Sequence, residues 1–299
     1  MRIAIMSDLH LEHDVDLVRR AMAQASRGTT GGLPIHWWRH LNARQSEPGH
    51  PLYGPDLMSV RGADLMILAG DIWHGTQGIA YADDVAKYLG CQIVIIAGNH
   101  DHYGSDMTLT IPQMISAAQA TEGRVIFLDD SRADFVIDGR HVAVLGSTLF
   151  TDYRLNGDDR QLESMMSAAV GLNDHRCIAL DGNYFTPGRA LEMHERSRAW
   201  LAEAVPRAKD DSDIVIVLVH HGVVPEANAP EHRGGSLAPA FASDLTEDIR
   251  EWCCDLVAAG HTHHPLDMMI GKTRIVSAPR GYVGTETGVE NYVPLIVEL

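Results

Sequence analysis

The sequence predicts a layered α/β protein with mixed sheets. Short β-branched runs alternate with helical patterns over the first part of the chain, which is typical of parallel strands joined by helices. Hairpin-like pairs of strands then appear around residues 124–146 and 266–277, which adds antiparallel strands. The chain has 299 residues and 45% of them are apolar, which is enough for a sizeable core.

Nine short apolar runs have the length and β-branched content of strands. We predict strands at Arg2–Met6, Asp64–Ala69, Gln92–Ala97, Arg124–Leu128, His141–Leu145, Asp213–Val219, Leu256–Ala259, Thr273–Ser277 and Val293–Glu298.

Six segments show helical spacing of their apolar residues. We predict helices at Val15–Ser26, Ala80–Leu89, Met107–Thr121, Asp159–Val170, Arg189–Val205 and Pro239–Cys253. The helix near Arg189 has the clearest start signal, because Thr186 can cap it and Pro187 suits its first turn.

Two segments interrupt this alternation. Residues 27–61 are rich in Gly and Pro and form a long insertion that includes Trp37 and Trp38. The tryptophans would either pin the insertion to the body of the protein or stack on a flat group of a substrate. Residues 225–236 follow a predicted strand and are expected to form a loop beside the site. With no sharp change in composition, we predict a single domain over residues 1–299.

The charge balance narrows the classes of partner. The formal net charge is −16, so the surface repels a phosphate backbone and long nucleic acid is disfavoured. The four cysteines contain no C-x-x-C pair, which indicates reduced thiols in a cytoplasmic protein. The longest aliphatic run, Ile214–Val219, is too short to span a bilayer, and the early start of the first strand favours a chain without a signal peptide.

Five of the predicted strands are followed, within a few residues, by Asp, Asn or His. Because ligand sites in α/β proteins gather at the carboxyl ends of strands, these side chains are expected to converge. The motifs are Asp8-Leu9-His10, Gly70-Asp71, Gly98-Asn99-His100-Asp101, His220-His221 and Gly260-His261-Thr262-His263.

This set of side chains has the chemistry of a transition-metal site. Carboxylate and amide oxygens combined with imidazoles suit Mn²⁺, Fe²⁺/Fe³⁺, Zn²⁺, Co²⁺ or Ni²⁺, and we favour Mn²⁺. A carboxylate between two ions about 3.5–4 Å apart would suit in-line displacement at phosphorus. His220 and His221 compete for one ligand position, and His220 is favoured because it directly follows its strand.

In their order and spacing, these five motifs resemble those of the calcineurin-like metallophosphoesterases. The resemblance runs from residue 2 to residue 298 and implies a four-layer αββα sandwich with mixed sheets between helices. It also implies two divalent metal ions at one edge and hydrolysis by a hydroxide between them. The implied metal ligands are Asp8, His10 and His263 for one ion, Asn99, His220 and His261 for the other, and Asp71 as the bridge.

The same resemblance implies two catalytic residues. His100 would protonate the leaving oxygen or stabilise the charge of the transition state, and Asp101 would orient His100 through a hydrogen bond. From their positions after predicted strands, His221, Arg154 and Arg280 are further candidates for contacts with the substrate.

The leading functional hypothesis is hydrolysis of a small phosphodiester or phosphomonoester, with a nucleotide-derived one included. The alternatives are a protein or sugar-phosphate phosphatase, a nuclease, or a scaffold of the same fold without activity. The scaffold is disfavoured because all seven ligand candidates and His100 are present. The sequence leaves the oligomeric state open and predicts no membrane partner.

Overall fold

The computed structural model describes residues 1–16, 51 and 53–299. The strands in these ranges are β1 (Arg2–Met6), β2 (Leu65–Ala69), β3 (Gln92–Ile96), β4 (Ser105–Asp106), β5 (Val125–Leu128), β6 (Ser131–Ile137), β7 (Arg140–Ser147), β8 (Ile178–Leu180), β9 (Asn183–Tyr184), β10 (Ile214–Val219), β11 (Leu256–Ala259), β12 (Leu266–Ile270), β13 (Thr273–Ser277) and β14 (Leu295–Glu298). The helices are α1 (Thr76–Leu89), α2 (Met107–Gln119), α3 (Gln161–Gly171), α4 (Asp174–Cys177), α5 (Pro187–Asp211) and α6 (Thr246–Trp252). Residues 11–16 are also helical.

Two mixed sheets form the centre of the protein. The first has the strand order β14-β1-β2-β3-β5, and the second has the order β12-β13-β11-β10-β7-β6. The inner strands of both sheets run parallel, while β14, β12 and β6 are antiparallel edge strands. A small third sheet, with the order β4-β8-β9, lies apart from the other two.

The packing of side chains places these elements in four layers. One apolar cluster joins the facing sides of the two sheets, with Ile67 of β2 and Ile216 of β10 among its members. A second cluster joins the outer side of the first sheet to α1 and α2, and a third joins the outer side of the second sheet to α5 and α6. The protein is therefore an αββα sandwich with mixed sheets, as the sequence predicted.

β2 and β10 have apolar residues at every position because both of their sides are covered. β2 and β10 are buried along their whole length. This explains why unbroken apolar runs located these strands in the sequence. At the start of α5, the Thr186 side chain accepts a hydrogen bond from the Arg189 backbone N–H, and Pro187 occupies the first turn as predicted.

The predicted helix Pro239–Cys253 is wrong over its first half. Only Thr246–Trp252 is α-helical, because residues before it bond to the segment that follows β10. The Gly222 N–H donates to the Phe241 carbonyl at 3.0 Å, and the Leu245 N–H donates to the Val223 carbonyl at 2.9 Å. These bonds hold the chain in a non-helical path beside the second sheet.

Other expectations were incomplete or fall on residues that the structure does not describe. The hairpin expected around 124–146 is formed by β6 and β7, whereas β5 pairs in parallel with β3. Most of the predicted helix Val15–Ser26 and the pair Trp37-Trp38 lie outside the described residues. Of the insertion at 27–61, residues 51 and 53–61 are described, and Leu57 and Val60 there are buried.

Candidate metal centre

The predicted strand ends meet at one edge of the sandwich. β1, β2 and β3 are neighbours in the first sheet, and β10 and β11 are neighbours in the second. Backbone bonds hold the loops after them together, for example from the Asp8 N–H to the Gly70 carbonyl at 3.0 Å. The Asp8 carboxylate accepts from the His261 N–H at 2.9 Å, which joins the two sheets at this edge.

The loops turn sharply at the candidate ligands themselves. Five of these residues have a left-handed backbone, with φ between 45° and 68°, namely Asp8, His10, Asp71, His261 and His263. Residues other than Gly adopt this conformation rarely, although Asp and His adopt it more readily than most. Gly98 is required by close approach, because a Cβ atom there would collide with the Asp71 carboxylate and lie 2.7 Å from Cε1 of His220.

The side chains form two clusters joined by Asp71. We call Asp8, His10 and His263 the first half of the centre, and Asn99, His220 and His261 the second half. Ligand atoms of Asp8, His10 and His263 lie within 4.8 Å of one another, and so do those of Asp71, His220 and His261. Oδ2 of Asp71 lies 3.7 Å from Nε2 of His10 and 3.4 Å from Nε2 of His220. Asp71 is thus placed to serve both halves.

In the first half, both imidazoles present Nε2 to the same point. Nε2 of His10 and Nε2 of His263 are 3.0 Å apart. Behind them, Nδ1 of His10 lies 3.2 Å from the Glu12 carboxylate and Nδ1 of His263 lies 2.7 Å from the Glu286 carboxylate. A carboxylate that accepts the Nδ1 proton leaves the lone pair on Nε2, which is the usual arrangement of a metal-ligating histidine.

In the second half, the ligand atoms are buried. Nδ1 of His220 donates to the Ala69 carbonyl at 2.8 Å, and its Nε2 lies 3.0 Å from Oδ1 of Asn99. Nε2 of His261 is buried without a hydrogen-bond partner among the described residues. A buried nitrogen that lacks a partner costs free energy unless another group, such as a cation, satisfies it.

The electrostatics of the centre favour positive charge. Burial lowers the pKa of His220, but the adjacent Asp71 carboxylate outweighs it and raises that pKa to about 9. Burial raises the pKa of Asp71, yet the neighbouring imidazoles hold it well below its usual range. Burial, His221 and His220 keep the pKa of His261 well below its usual range, so this imidazole is neutral, as a ligand must be. The residues present therefore fit a pair of divalent ions.

Between His220 and His221, the structure places His220 in the cluster. Nδ1 of His221 faces the Thr148 carbonyl at 3.3 Å, and its ring packs against His261 with centroids 4.1 Å apart. His221 is buried behind His261 and is not among the described residues that line the adjoining cavity. A contact between His221 and the substrate stays a prediction.

His100 lies at the mouth of the centre, beside Asp71. Its Nε2 is 3.2 Å from the Tyr282 hydroxyl, its Nδ1 is 3.4 Å from the Glu12 carboxylate, and its ring stacks on Tyr103 with centroids 4.1 Å apart. Burial opposes its protonation, but Asp71 and Glu12 raise the pKa of His100 above its ordinary value. His100 can therefore carry a proton toward the cavity.

Asp101 does not orient His100 as expected. Its Oδ2 accepts from the Asp71 N–H at 2.9 Å and from the Gly98 N–H at 2.8 Å. The side chain folds back because the chain enters a 3-10 turn at His100, which directs it at the loops after β2 and β3. Asp101 thus shapes the loops that carry the ligands, and Glu12 occupies the position beside His100.

The two arginine candidates are engaged elsewhere. Arg280 is buried, and its guanidinium lies 3.0 Å from the Asp14 carboxylate and donates to the Leu9 carbonyl at 3.2 Å. Arg154 is 46% exposed and pairs with Asp158 at 3.4 Å. Arg154 and Arg280 are not among the described residues lining the cavity, and a contact of either with the substrate stays a prediction.

A cavity of about 830 Å³ opens from the centre. It extends along the loop at 225–236, which confirms the predicted position of that loop, and ends at residues 171–174. Tyr103 and Phe241 provide aromatic walls.

Sequence reasoning missed four residues of the site. They are Glu12, Tyr103, Asp174 and Glu286. The position of Glu12, two residues after His10, and of Tyr103, two residues after Asp101, gave a local signal. Asp174 and Glu286 had none, because they reach the centre only through the tertiary fold.

The comparison with protein-family models is consistent with this geometry. The model of the calcineurin-like phosphoesterases matches residues 1–265, which include all seven candidate ligands. The chain belongs to the calcineurin-like phosphoesterase family. Membership implies a hydrolase that acts on phosphoesters, and this family typically binds a dinuclear metal centre.

Solved structures similar to this calcineurin-like phosphoesterase are distant in sequence. The phosphopantetheinyl hydrolase PptH of Mycobacterium tuberculosis is 15% identical with a TM-score of 0.62, over 94% of this chain and 89% of that chain. A novel archaeal phosphodiesterase is 13% identical with a TM-score of 0.38, over 100% of both chains. The first likeness shows a shared fold, and the second is too weak to support an argument. A search of curated proteins gave no match.

Within the described residues, none of the helices is both long enough and apolar enough to cross a membrane.

Proposed function

We propose that this protein hydrolyses small phosphoesters, diesters or monoesters, at a centre of two divalent metal ions. The position of Asp71 carries the proposal, because one carboxylate oxygen lies 3.7 Å from an imidazole of the first half and 3.4 Å from an imidazole of the second half. A carboxylate in this position suits a bridge between two ions.

The first half and the second half would each hold one ion, with Asp71 shared. When bound, the two ions would polarise the phosphoryl oxygens and lower the pKa of an attacking water. The mixture of carboxylate, amide and imidazole ligands suits Mn²⁺ and the related ions named above, and we favour Mn²⁺.

His100 is the residue of this chain that would move a proton. The leaving oxygen of a phosphoester becomes negative as its bond to phosphorus breaks, and a proton from Nε2 of His100 would neutralise it. Glu12 faces Nδ1 at 3.4 Å and orients the ring, while Tyr103 supports one face of it. The Tyr282 hydroxyl lies 3.2 Å from Nε2, so the leaving oxygen would meet His100 on the side of the ring that faces Tyr282.

The cavity and the charge support a small substrate. A volume of about 830 Å³ lies within the range of sites for small molecules. The net charge of −16 disfavours long nucleic acid as a substrate. The four cysteines are unpaired, which supports the proposal of a cytoplasmic location.

A paired assay tests the proposal. The purified protein is loaded with Mn²⁺ and assayed in parallel with p-nitrophenyl phosphate and bis-p-nitrophenyl phosphate, with Asp71→Asn as the control. We expect turnover that depends on the added metal and on Asp71, and the faster substrate would assign the monoester or the diester class. Two bound ions without turnover of either substrate would contradict the proposal and favour a scaffold.

A further inference from the structure

A buried carboxylate from outside the five motifs contacts a candidate metal ligand. Asp174 is 4% exposed and begins α4, in the segment between β7 and α5. One of its oxygens, Oδ1, accepts hydrogen bonds from Nδ2 of Asn99 at 2.8 Å and from the Tyr103 hydroxyl at 2.6 Å. Asp174 therefore joins a ligand of the second half to the aromatic ring that supports His100.

Backbone pairing fixes Asp174 in this position. Residues 105–106 of β4, which begins four residues after the end of the Asn99 motif, pair in parallel with residues 178–179 of β8, directly after α4. The Gly104 N–H also donates to the Cys177 carbonyl at 2.7 Å. The segment with Asp174 is thus bonded to the segment with Asn99 on the C-terminal side of both residues.

The contact has a chemical consequence for Asn99. A side-chain amide has one end that donates and one end that accepts, and only the oxygen can bind a cation. An ionised carboxylate accepts hydrogen bonds and does not donate them, so Asp174 selects the Nδ2 end. Oδ1 of Asn99 then faces Nε2 of His220 at 3.0 Å, inside the second half.

We propose that Asp174 is a positioning residue that holds the Asn99 amide with its oxygen toward the second half, and so sets the metal affinity of that half. This inference rests on the proposed function, because it assumes that both halves bind metal. In the absence of Asp174, Nδ2 of Asn99 keeps only the longer hydrogen bond to the Tyr103 hydroxyl at 3.5 Å. The amide is then free to rotate, and the second half is left with imidazoles and the shared Asp71.

The test counts metal ions in three variants and the wild type. Asp174→Ala removes the acceptor, whereas Asp174→Asn keeps an amide oxygen that still accepts from Asn99. Asp159→Asn, an exposed carboxylate in the turn before α3, is the matched control. Each protein is titrated with Mn²⁺, the bound metal is counted, and the EPR spectrum shows whether the ions form a coupled pair. Asp174→Ser gives the same readout if the alanine variant does not fold.

We expect the wild type, Asp174→Asn and Asp159→Asn to bind two coupled ions. In Asp174→Ala, one ion should bind about 10- to 100-fold more weakly, so that the spectrum at low Mn²⁺ is that of an isolated ion. Excess Mn²⁺ should then restore the coupled pair and the turnover.

Two outcomes would overturn the inference. Two ions bound to Asp174→Ala with wild-type affinity would show that Asn99 needs no partner. Equal losses in Asp174→Asn and Asp174→Ala would show that the negative charge of Asp174 sets the metal affinity, and not the hydrogen bond that it accepts from Asn99. A wild type that binds no metal and has no activity would instead refute the proposed function.

Discussion

The two halves of the centre hold their imidazoles in different ways. In the first half, His10 and His263 each direct Nδ1 at a carboxylate, which leaves the lone pair on Nε2. In the second half, His220 directs Nδ1 at a backbone carbonyl, and Asn99 replaces a carboxylate by a neutral amide. The first half therefore has more negative charge, whereas the second half depends on burial and on the orientation of an amide.

This difference indicates that the two ions would be bound with different strengths. Negative charge close to a cation stabilises it strongly in a site shielded from water. The first half has Asp8 as a ligand of its own and Glu12 and Glu286 behind the imidazoles. We expect it to bind its ion more tightly than the second half does.

The largest effect is expected for substitution of His100, which tests whether this residue is a metal ligand of either half. Ligand atoms of His10, Asp71 and His100 also lie within 4.8 Å of one another, so His100 could be a ligand by distance alone. If it is the acid instead, His100→Ala should lower kcat by about 10²–10⁴-fold and leave two ions bound. Metal counting and steady-state kinetics on the same preparation measure both. The loss of an ion would make His100 a ligand and would change the composition of the first half.

Arg280 supports the loop of the first half from behind. Its backbone N–H donates to the Ser7 carbonyl at 3.1 Å, and its guanidinium pairs with buried Asp14. Arg280→Met leaves the Asp14 carboxylate buried without a counter-ion among the described residues, which should lower the free energy of unfolding by about 3–5 kcal/mol. Denaturant unfolding of the metal-free protein measures this loss of stability, with Arg154→Met as the exposed control. A rise in KM without a loss of stability would instead show that Arg280 binds the substrate.

Glu286→Gln should weaken metal binding in the first half and leave the second half unchanged. The amide cannot accept the Nδ1 proton of His263 with the strength of a carboxylate, so the affinity for one ion should fall by about 10- to 100-fold. Isothermal titration with Mn²⁺ resolves the two binding steps, and Glu290→Gln, which is exposed, is the control. A change in the weaker of the two steps would reverse our ranking of the halves.

Partial removal of metal should reveal the difference in metal affinity between the two halves. As a chelator is added to the loaded protein, the second half should lose its ion first, because it has one carboxylate ligand fewer than the first half. We expect at least about a 10-fold difference between the two dissociation constants, given the strength of charge interactions in buried sites. Repeating the titration with His261→Ala should abolish the step at lower chelator concentration. Abolition of the other step would contradict the comparison.

The fold and the convergence of the candidate ligands could be predicted because both leave local signals. Strands buried on both sides appear as unbroken apolar runs, and Asp71 and His220 lie two residues and one residue after the ends of such runs. The orientation of a side chain in a loop leaves no such signal. Asp101 was expected to face His100, but it folds back on the N–H groups of Asp71 and Gly98.

Partners far apart in the chain were also invisible to sequence reasoning. Arg280 after a strand resembles a phosphate ligand until the fold places Asp14 beside it, 266 positions away. Asp174 and Glu286 lie in segments with no motif and reach the centre through the pairing of distant elements. The single domain over residues 1–299 stays a prediction.

The left-handed backbone at five candidate ligands limits how the centre can be redesigned. A substitution at Asp8 or His261 must satisfy the backbone as well as the metal, because β-branched and bulky residues are strained at positive φ. Saturation libraries at these positions should therefore return mainly Asn, Asp, His and Gly, whatever metal is used for selection. A change of metal preference would be found more readily at Glu12, Asp174 and Glu286, whose φ values are not in this region.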